Sequence, residues 1–149
     1  MILPLPNKDI FDINSILFRA KSILSKEWIY GWIFINSFFP YIKDIKDIDG
    51  IETKIDITSL GIFTGLYDFK NEKIFTGDII SNSRYNNKHL IISTNGSFNA
   101  LSLEEYELIY NNKMLNLSDS SKLTNNWIQE CKKEIIGNIY DNPNLFNKE

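Results

Sequence analysis

Apolar and polar positions alternate most clearly near the start of the chain. Over residues 26–36, Trp28, Tyr30 and Trp32 alternate with Ile29, Gly31 and Ile33, and both sides of the alternation are apolar. A period of two in aromatic and β-branched residues predicts a strand. Apolar residues on both sides predict that one face meets a core and the other a second layer or a partner. Residues 16–24 share this character, and the short interval Leu24-Ser25-Lys26 predicts a hairpin between the two runs. Ahead of them, residues 1–14 read as an irregular arm. Pro4 and Pro6 interrupt regular structure there, and Asn7, Asp9, Asp12 and Asn14 favour turns. Ile10, Phe11 and Ile13 predict that the arm docks on something.

Residues 37–58 read as a connection containing Pro40 and Asp49-Gly50. Ile42, Ile45, Ile48 and Ile51 step by three, which fits a short helical turn or a meandering edge. In residues 59–81, Gly61, Gly65 and Gly77 surround the strand-like pieces 62–64 and 73–75, with a polar turn at 69–72 between them. Another strand opens at Gly77-Asp78-Ile79-Ile80, and residues 82–87 form a polar loop. Residues 88–94 read as a strand, Asn95-Gly96 as a hairpin turn and residues 97–101 as the return. Ser102 and Glu105 form a capping-box pattern, opening a helix to about Asn111 with Leu103, Tyr106 and Tyr110 on one side. The Ser/Asn/Asp-rich residues 112–122 predict a mobile loop. Leu123, Trp127 and Cys131 at i, i+4 and i+8 predict a short helix over 123–131. Residues 134–140 read as a final strand, ended by Asp141–Asn144, with Leu145-Phe146 folding back.

The expected class is therefore α+β: mainly antiparallel β with one or two short helices. Residues 1–58 form an arm plus a β-hairpin lobe, and residues 59–149 a β lobe with inserted helices. At 149 residues, one compact domain or two small lobes are both in range. The formal charge of −3 argues against a duplex nucleic-acid binder, which needs a basic face to neutralise phosphates. An acidic chain can still hide a basic patch. One cysteine excludes an internal disulfide, and one histidine with it is short of the ligands a structural zinc takes. No metal or cofactor is expected. The apolar stretch Trp28–Ile35 is far below the ~20 residues that span a bilayer. Met1–Pro6 lacks the basic region of a signal peptide, so a cytoplasmic location without membrane association is expected.

Several residues could carry chemistry. His89 precedes a strand with no readable serine or cysteine partner, so a structural role outweighs a catalytic one. Cys131 reads as a buried inert thiol; Lys132 and Lys133 adjoin it but fall on other helical faces. The glycine spacing matches no phosphate loop and fits tight turns. Asp68 beside a turn and Asp78 holding backbone amides are the simple readings of those carboxylates. Arg19, Trp28, Tyr30 and Trp32 combine the residue types enriched in interface hot spots and in base-stacking sites. A core role for these aromatics competes with both. Tyr67, Asp68 and Arg84 complete the candidate binding set. No catalytic residue is assigned.

Three segments, in order, resemble the YopX family of bacteriophage and prophage proteins. They are Phe18-Arg19-Ala20-Lys21 with Glu27–Gly31; Leu60–Asp68 continuing to Lys73–Ile80; and Glu134–Pro143. The chain departs from the family in its extra apolar arm and in Asn71-Glu72, where a glycine turn is usual. The resemblance implies a small SH3-like β-barrel as the C-terminal lobe and a phage or prophage origin. The expected function is non-catalytic, stoichiometric binding of a host or phage protein, such as a host anti-phage defence component, with self-association. The alternatives are sequestration of a nucleotide or other small signal molecule, with Arg19 or Arg84 on phosphate, and binding of single-stranded nucleic acid.

Overall fold

A computed structural model describes residues 16–36, 39–44, 52–82, 84, 87–94, 96–111 and 121–147. The predicted arm at 1–14 lies outside them. The chain divides into two compact units, residues 1–63 and 64–149.

In the first unit, β1 (Phe18–Ser22), β2 (Trp28–Asn36), β3 (Phe39–Asp44) and the part of β4 (Glu52–Tyr67) up to Phe63 pair antiparallel in sequence, and β4 also pairs with β1, so the pairings run in a cycle. The predicted hairpin is present, with Phe18 opposite Gly31 and Lys21 opposite Trp28. Its turn is held by the Ser22 hydroxyl, which accepts from the amides of Leu24 and Ser25 at 3.2 Å each. Where β1 meets β4 the register slips between Arg19 and Lys21. There the Ser59 hydroxyl takes the place of a ladder partner. It accepts from the Lys21 amide at 2.8 Å and donates to the Asp56 carbonyl at 2.6 Å.

The expected connection at 37–58 is corrected: it contains β3 and the first residues of β4. Ile42 stands opposite both Ile33 and Thr53 and is fully buried. Of the isoleucines stepping by three, only Ile42 lies among the described residues, and it follows the period of two set by Phe39, Tyr41 and Lys43. Ala20, Ile42 and Ile55 form the core, with Phe18, Ile29, Ile33 and Leu60 against it. Gly31 is dictated by that packing: a Cβ there would stand 1.8 Å from the Lys43 carbonyl oxygen.

In the second unit, β5 (Lys73–Phe75) pairs with β4, and the Thr64 hydroxyl donates to the Ile74 carbonyl at 2.9 Å. A separate antiparallel sheet has the order β8-β7-β6-β9, from β6 (Asp78–Ser81), β7 (His89–Thr94), β8 (Ser97–Leu101) and β9 (Glu134–Asn138). Every residue of β6 is buried. Its isoleucines serve both faces. Ile80 joins Ile74, Ile91, Ala100, Leu123 and Ile128, while Ile79 joins Leu90 and Phe146. Phe146 comes from a 3-10 turn over Pro143–Phe146, so the tail folds back as expected. Asp78 is buried and accepts the Phe75 amide at 2.7 Å, which is the amide-holding role expected of it.

The β7–β8 hairpin closes across Thr94 and Ser97, with Gly96 at φ +77°, where glycine is favoured; Asn95 lies outside the described residues. The capping box is formed: the Ser102 hydroxyl accepts the Glu105 amide, and the Glu105 carboxylate accepts the Ser102 amide at 2.9 Å. It opens α1 (Leu103–Tyr110), which buries no residue fully. Leu103 packs on the Ile79 cluster, and the Tyr106 ring meets Phe146 edge-on at 5.7 Å.

The second helix, α2 (Asn125–Glu130), is shorter than the expected 123–131. Leu123 instead donates its amide to Phe98, Thr124 caps the helix start and Cys131 ends it. Ile128, not Cys131, is the buried residue. β9 stops at Asn138 rather than at 140, because the Asn138 side-chain oxygen takes the amides of Tyr140 and Asp141 at 3.0 and 2.9 Å.

Both edges of the second sheet are partly occupied. Beside β8, Lys122 bridges to Asn99 and the Leu123 amide reaches the Phe98 carbonyl at 2.9 Å. Beside β9, the Ile135 amide donates to Asp68 Oδ2 at 2.9 Å, and the Lys133 carbonyl accepts from Phe69 at 2.8 Å.

Candidate functional site

Two places gather chemistry, one in each unit. In the first unit, the strand register puts Arg19 opposite Tyr30, Lys21 opposite Trp28, Trp32 opposite Lys43, and Phe34 opposite Tyr41. Residues directly opposed share a face, and this one is the reverse of the Ala20–Ile42–Ile55 core. The two-faced reading of β2 therefore holds: isoleucines face the core, and aromatics and cations face away from it. The Arg19 guanidinium lies 4.7 Å from the Trp28 ring centroid and the Lys21 ammonium 5.4 Å from it. Phe34 stacks on Tyr41 at 5.7 Å, and the Lys54 ammonium sits 3.4 Å from the Phe39 ring. Arg19 is buried, Trp28, Tyr30 and Trp32 are half-buried, and Phe39 is exposed. Two carboxylates flank the cations, Asp56 opposite Lys21 and Glu52 opposite Lys43.

The remaining candidates fall in the second unit. Tyr67, at the end of β4, is partly exposed, with the Lys73 ammonium 5.6 Å from its ring. Asp68 is buried, and its carboxylate is spent on backbone amides. Oδ1 accepts from Lys70 at 2.8 Å and Glu72 at 2.9 Å, and Oδ2 accepts from Ile135. The arrangement makes Asp68 a clasp between the β4–β5 turn and β9. Arg84 is exposed, and its amide donates to Asn82 Oδ1 at 2.8 Å.

Arg84 stands on the rim of a cavity of about 400 Å3. The segment after β6 supplies Asn82, Arg84 and Asn87, β7 supplies His89, and α2 supplies Trp127 and Glu130. The turn after α2 supplies Cys131, Lys132 and Lys133. Helical extrapolation places those three on different faces; the structure corrects this. α2 ends at Glu130, and Lys132 adopts a left-handed φ of 48°, so all three line one cavity. The side-chain amide of Asn82 donates to the Cys131 carbonyl and ties this turn to the segment after β6.

Lys133 is 2% exposed. Its ammonium donates to the Asn87 carbonyl at 3.1 Å, lies 3.4 Å from His89 Nδ1 and sits 4.9 Å from the Trp127 ring centroid. Burial pulls its pKa below the usual lysine value. His89 Nδ1 is 3.0 Å from the same Asn87 carbonyl, and its ring meets Trp127 edge-on at 5.0 Å. Burial first, and the adjacent Lys133 ammonium second, push the His89 pKa down. In a neutral imidazole Nδ1 either donates to the Asn87 carbonyl or accepts from the Lys133 ammonium, not both; a protonated ring would face a second cation at 3.4 Å.

Behind His89 and Trp127, a smaller cavity of about 160 Å3 is lined by Glu105, Ser121 and Lys122. Burial raises the Glu105 pKa, but hydrogen bonds from Ser121 Oγ at 2.6 Å and from Ser102 outweigh it and hold the carboxyl below its usual range. Among the described residues, no group of His, Cys, Asp and Glu is placed to hold a metal ion. No described helix is long and apolar enough to cross a membrane.

The residue that sequence reasoning missed is Lys133. Its signal was local: a Lys-Lys pair just past a helix whose last apolar residue is Ile128, so the helical projection no longer applies. Comparison with known proteins adds the relationship. No curated protein matches. Among solved structures, the crystal structure of protein EF1440 from Enterococcus faecalis is similar, at 20% identity and a TM-score of 0.49, covering 89% of this chain and 98% of that one. The YopX protein family matches residues 17–147, beginning just after the predicted arm and including the 82–130 region between the resembling segments. This chain belongs to the YopX family.

Proposed function

We propose that the protein is a phage or prophage accessory protein that acts by stoichiometric binding to a host protein, such as a component of an anti-phage defence system, in the host cytoplasm. The observation that carries this reading is the reverse face of β1–β3. It holds Arg19, Trp28, Tyr30 and Trp32 side by side, the residue types that dominate interface energetics. An aromatic face on the non-core side of a sheet is apolar area that association removes from water. Self-association through the same face belongs to the reading. So does an SH3-like small barrel as the C-terminal lobe, for which the short, glycine-punctuated antiparallel strands β6 to β9 speak.

The test is affinity capture from host lysate with the whole chain, followed by reconstitution and native mass spectrometry of the complex. The double variant Trp28→Ala/Tyr30→Ala serves as control once its circular dichroism matches the parent. We expect one host protein at fixed stoichiometry with the parent and none with the variant. Equal capture by both, or no defined complex, refutes the proposal.

A second reading is favoured by one specific feature. Cations and aromatics alternate across the strands, which is how sequence-tolerant sites hold single-stranded nucleic acid. Tight, salt-dependent binding of an oligonucleotide by the parent and not by the double variant would select this reading over the first.

A further inference from the structure

We propose that the cavity between α2, the start of β7 and the segment after β6 binds a phosphate monoester, with Lys133 as its buried ammonium and Arg84 and Lys132 at its rim. The inference stands on the second unit alone and does not rest on the aromatic face.

The first support is an uncompensated charge. Lys133 is 2% exposed, yet among the described residues no carboxylate lies within ion-pair distance of it. Burying an ammonium without a counter-ion is costly, and proteins relieve that cost with a partner charge. Its described contacts are the Asn87 carbonyl at 3.1 Å, the longer approach to His89 at 3.4 Å and the Trp127 ring, whose centroid is 4.9 Å away; none of them carries a negative charge. An ammonium has three donors, so this one can still bind a ligand oxygen.

The second support is the sign of the lining. Arg84, Lys132 and Lys133 are set against the single carboxylate of Glu130, in a chain whose net charge is −3. A cationic concavity on an acidic protein concentrates anions. A guanidinium at the rim presents the fork that phosphate oxygens accept in pairs.

The third is size. A volume of about 400 Å3 exceeds what a bare phosphate ion fills and falls in the range of small-ligand sites. Trp127 and His89 give the cavity an apolar wall for the esterified group. The dianion would also reverse the local electrostatics, favouring protonation of both Lys133 and His89.

His89 is the only histidine in the chain, so its imidazole resonances need no assignment. The whole chain, at constant pH and ionic strength, is titrated with adenosine 5′-monophosphate, with inorganic phosphate and with adenosine. Proton–carbon correlation of the imidazole is the readout. We expect saturable shifts with the monophosphate, weaker binding of inorganic phosphate and no response to adenosine. We also expect the pH titration midpoint of His89 to move up in the saturated protein. Lys133→Met keeps the apolar stem against Trp127 and should weaken binding at least about tenfold. Arg84→Gln, at an exposed position, should weaken it by a similar factor. Absence of saturation with the monophosphate, equal affinity for adenosine, tighter binding of inorganic phosphate than of the ester, or undiminished affinity in folded Arg84→Gln each overturns the proposal.

Discussion

Replacing Asp68 by alanine removes one carboxylate that holds three amides, those of Lys70, Glu72 and Ile135, at 2.8–2.9 Å. Lys70 and Glu72 are exposed, so water recovers their amides, and each loss costs about 0.5 kcal/mol. The Ile135 amide lies at the start of β9, reached from a side chain that is 3% exposed. A hydrogen bond to a charged group there is worth about 1.5–3 kcal/mol. Asp68→Ala should therefore destabilise the protein by about 3 kcal/mol. For a chain of this length that lowers the melting temperature by about 10 °C.

Asp68→Asn separates the contributions. One oxygen still serves the turn, but the new amide nitrogen faces the Ile135 amide, donor against donor, and about 2 kcal/mol is lost. Lys70→Ala is the control. It removes the 2.7 Å ion pair to Glu134 without touching the clasp, and should leave the melting temperature nearly unchanged. Thermal unfolding followed by circular dichroism, with hydrogen exchange at Ile135, reads the series. If Asp68→Ala melts within about 1 °C of the parent, or if Asp68→Asn is the worse of the two, the clasp is not what Asp68 does. Its place in a binding site would then gain weight.

Three further expectations are independent of that one. Gly31→Ala drives a Cβ to 1.8 Å from the Lys43 carbonyl oxygen. Because backbone cannot yield as a side chain can, a loss of about 3 kcal/mol is expected; an unchanged denaturant midpoint would contradict the β2–β3 register. The His89 pKa is depressed by folding, so below about pH 6.5 the unfolded chain takes a proton that the folded chain refuses. Stability should fall as pH drops from 6.5 toward the lower folded pKa and level off beneath it. His89→Gln should lose that segment of the pH–melting curve, and parallel curves for parent and variant would exclude it. Ser102→Ala breaks the capping box and should cost about 1 kcal/mol, with Ser102→Thr restoring most of it in the same melt; equal melts for all three would deny the cap a role.

Signals confined to a few neighbouring residues were readable in the chain. The β1–β2 hairpin, the Asn95-Gly96 turn and the Ser102–Glu105 box each rest on contacts between near neighbours, and each is present apart from Asn95, which lies outside the described residues. β3 was not readable. Its partners are the aromatic strand before it and the start of β4 after it, and neither is implied by the residues of Phe39–Asp44. The aromatic face could be foreseen because alternation survives in sequence. Which cations join it could not, since Lys43 and Lys54 arrive by pairing. The cavity was hidden for another reason: three successive residues, Cys131 to Lys133, converge only because a left-handed residue follows the end of a helix.

The partly occupied margins of the second sheet bear on how it can associate. A strand that has no unmet partner cannot template another copy of itself. Among the described residues β1 to β4 each have at least two partner strands and β5 meets β4 alone, and the second sheet has Lys122 and Leu123 stationed along part of one flank and the Asp68 carboxylate along part of the other. Addition of a foreign strand would first have to evict these tenants. Concentrated protein should thus resist edge-to-edge growth of the second sheet into fibrillar, dye-binding aggregates until the Asp68 contact is cut.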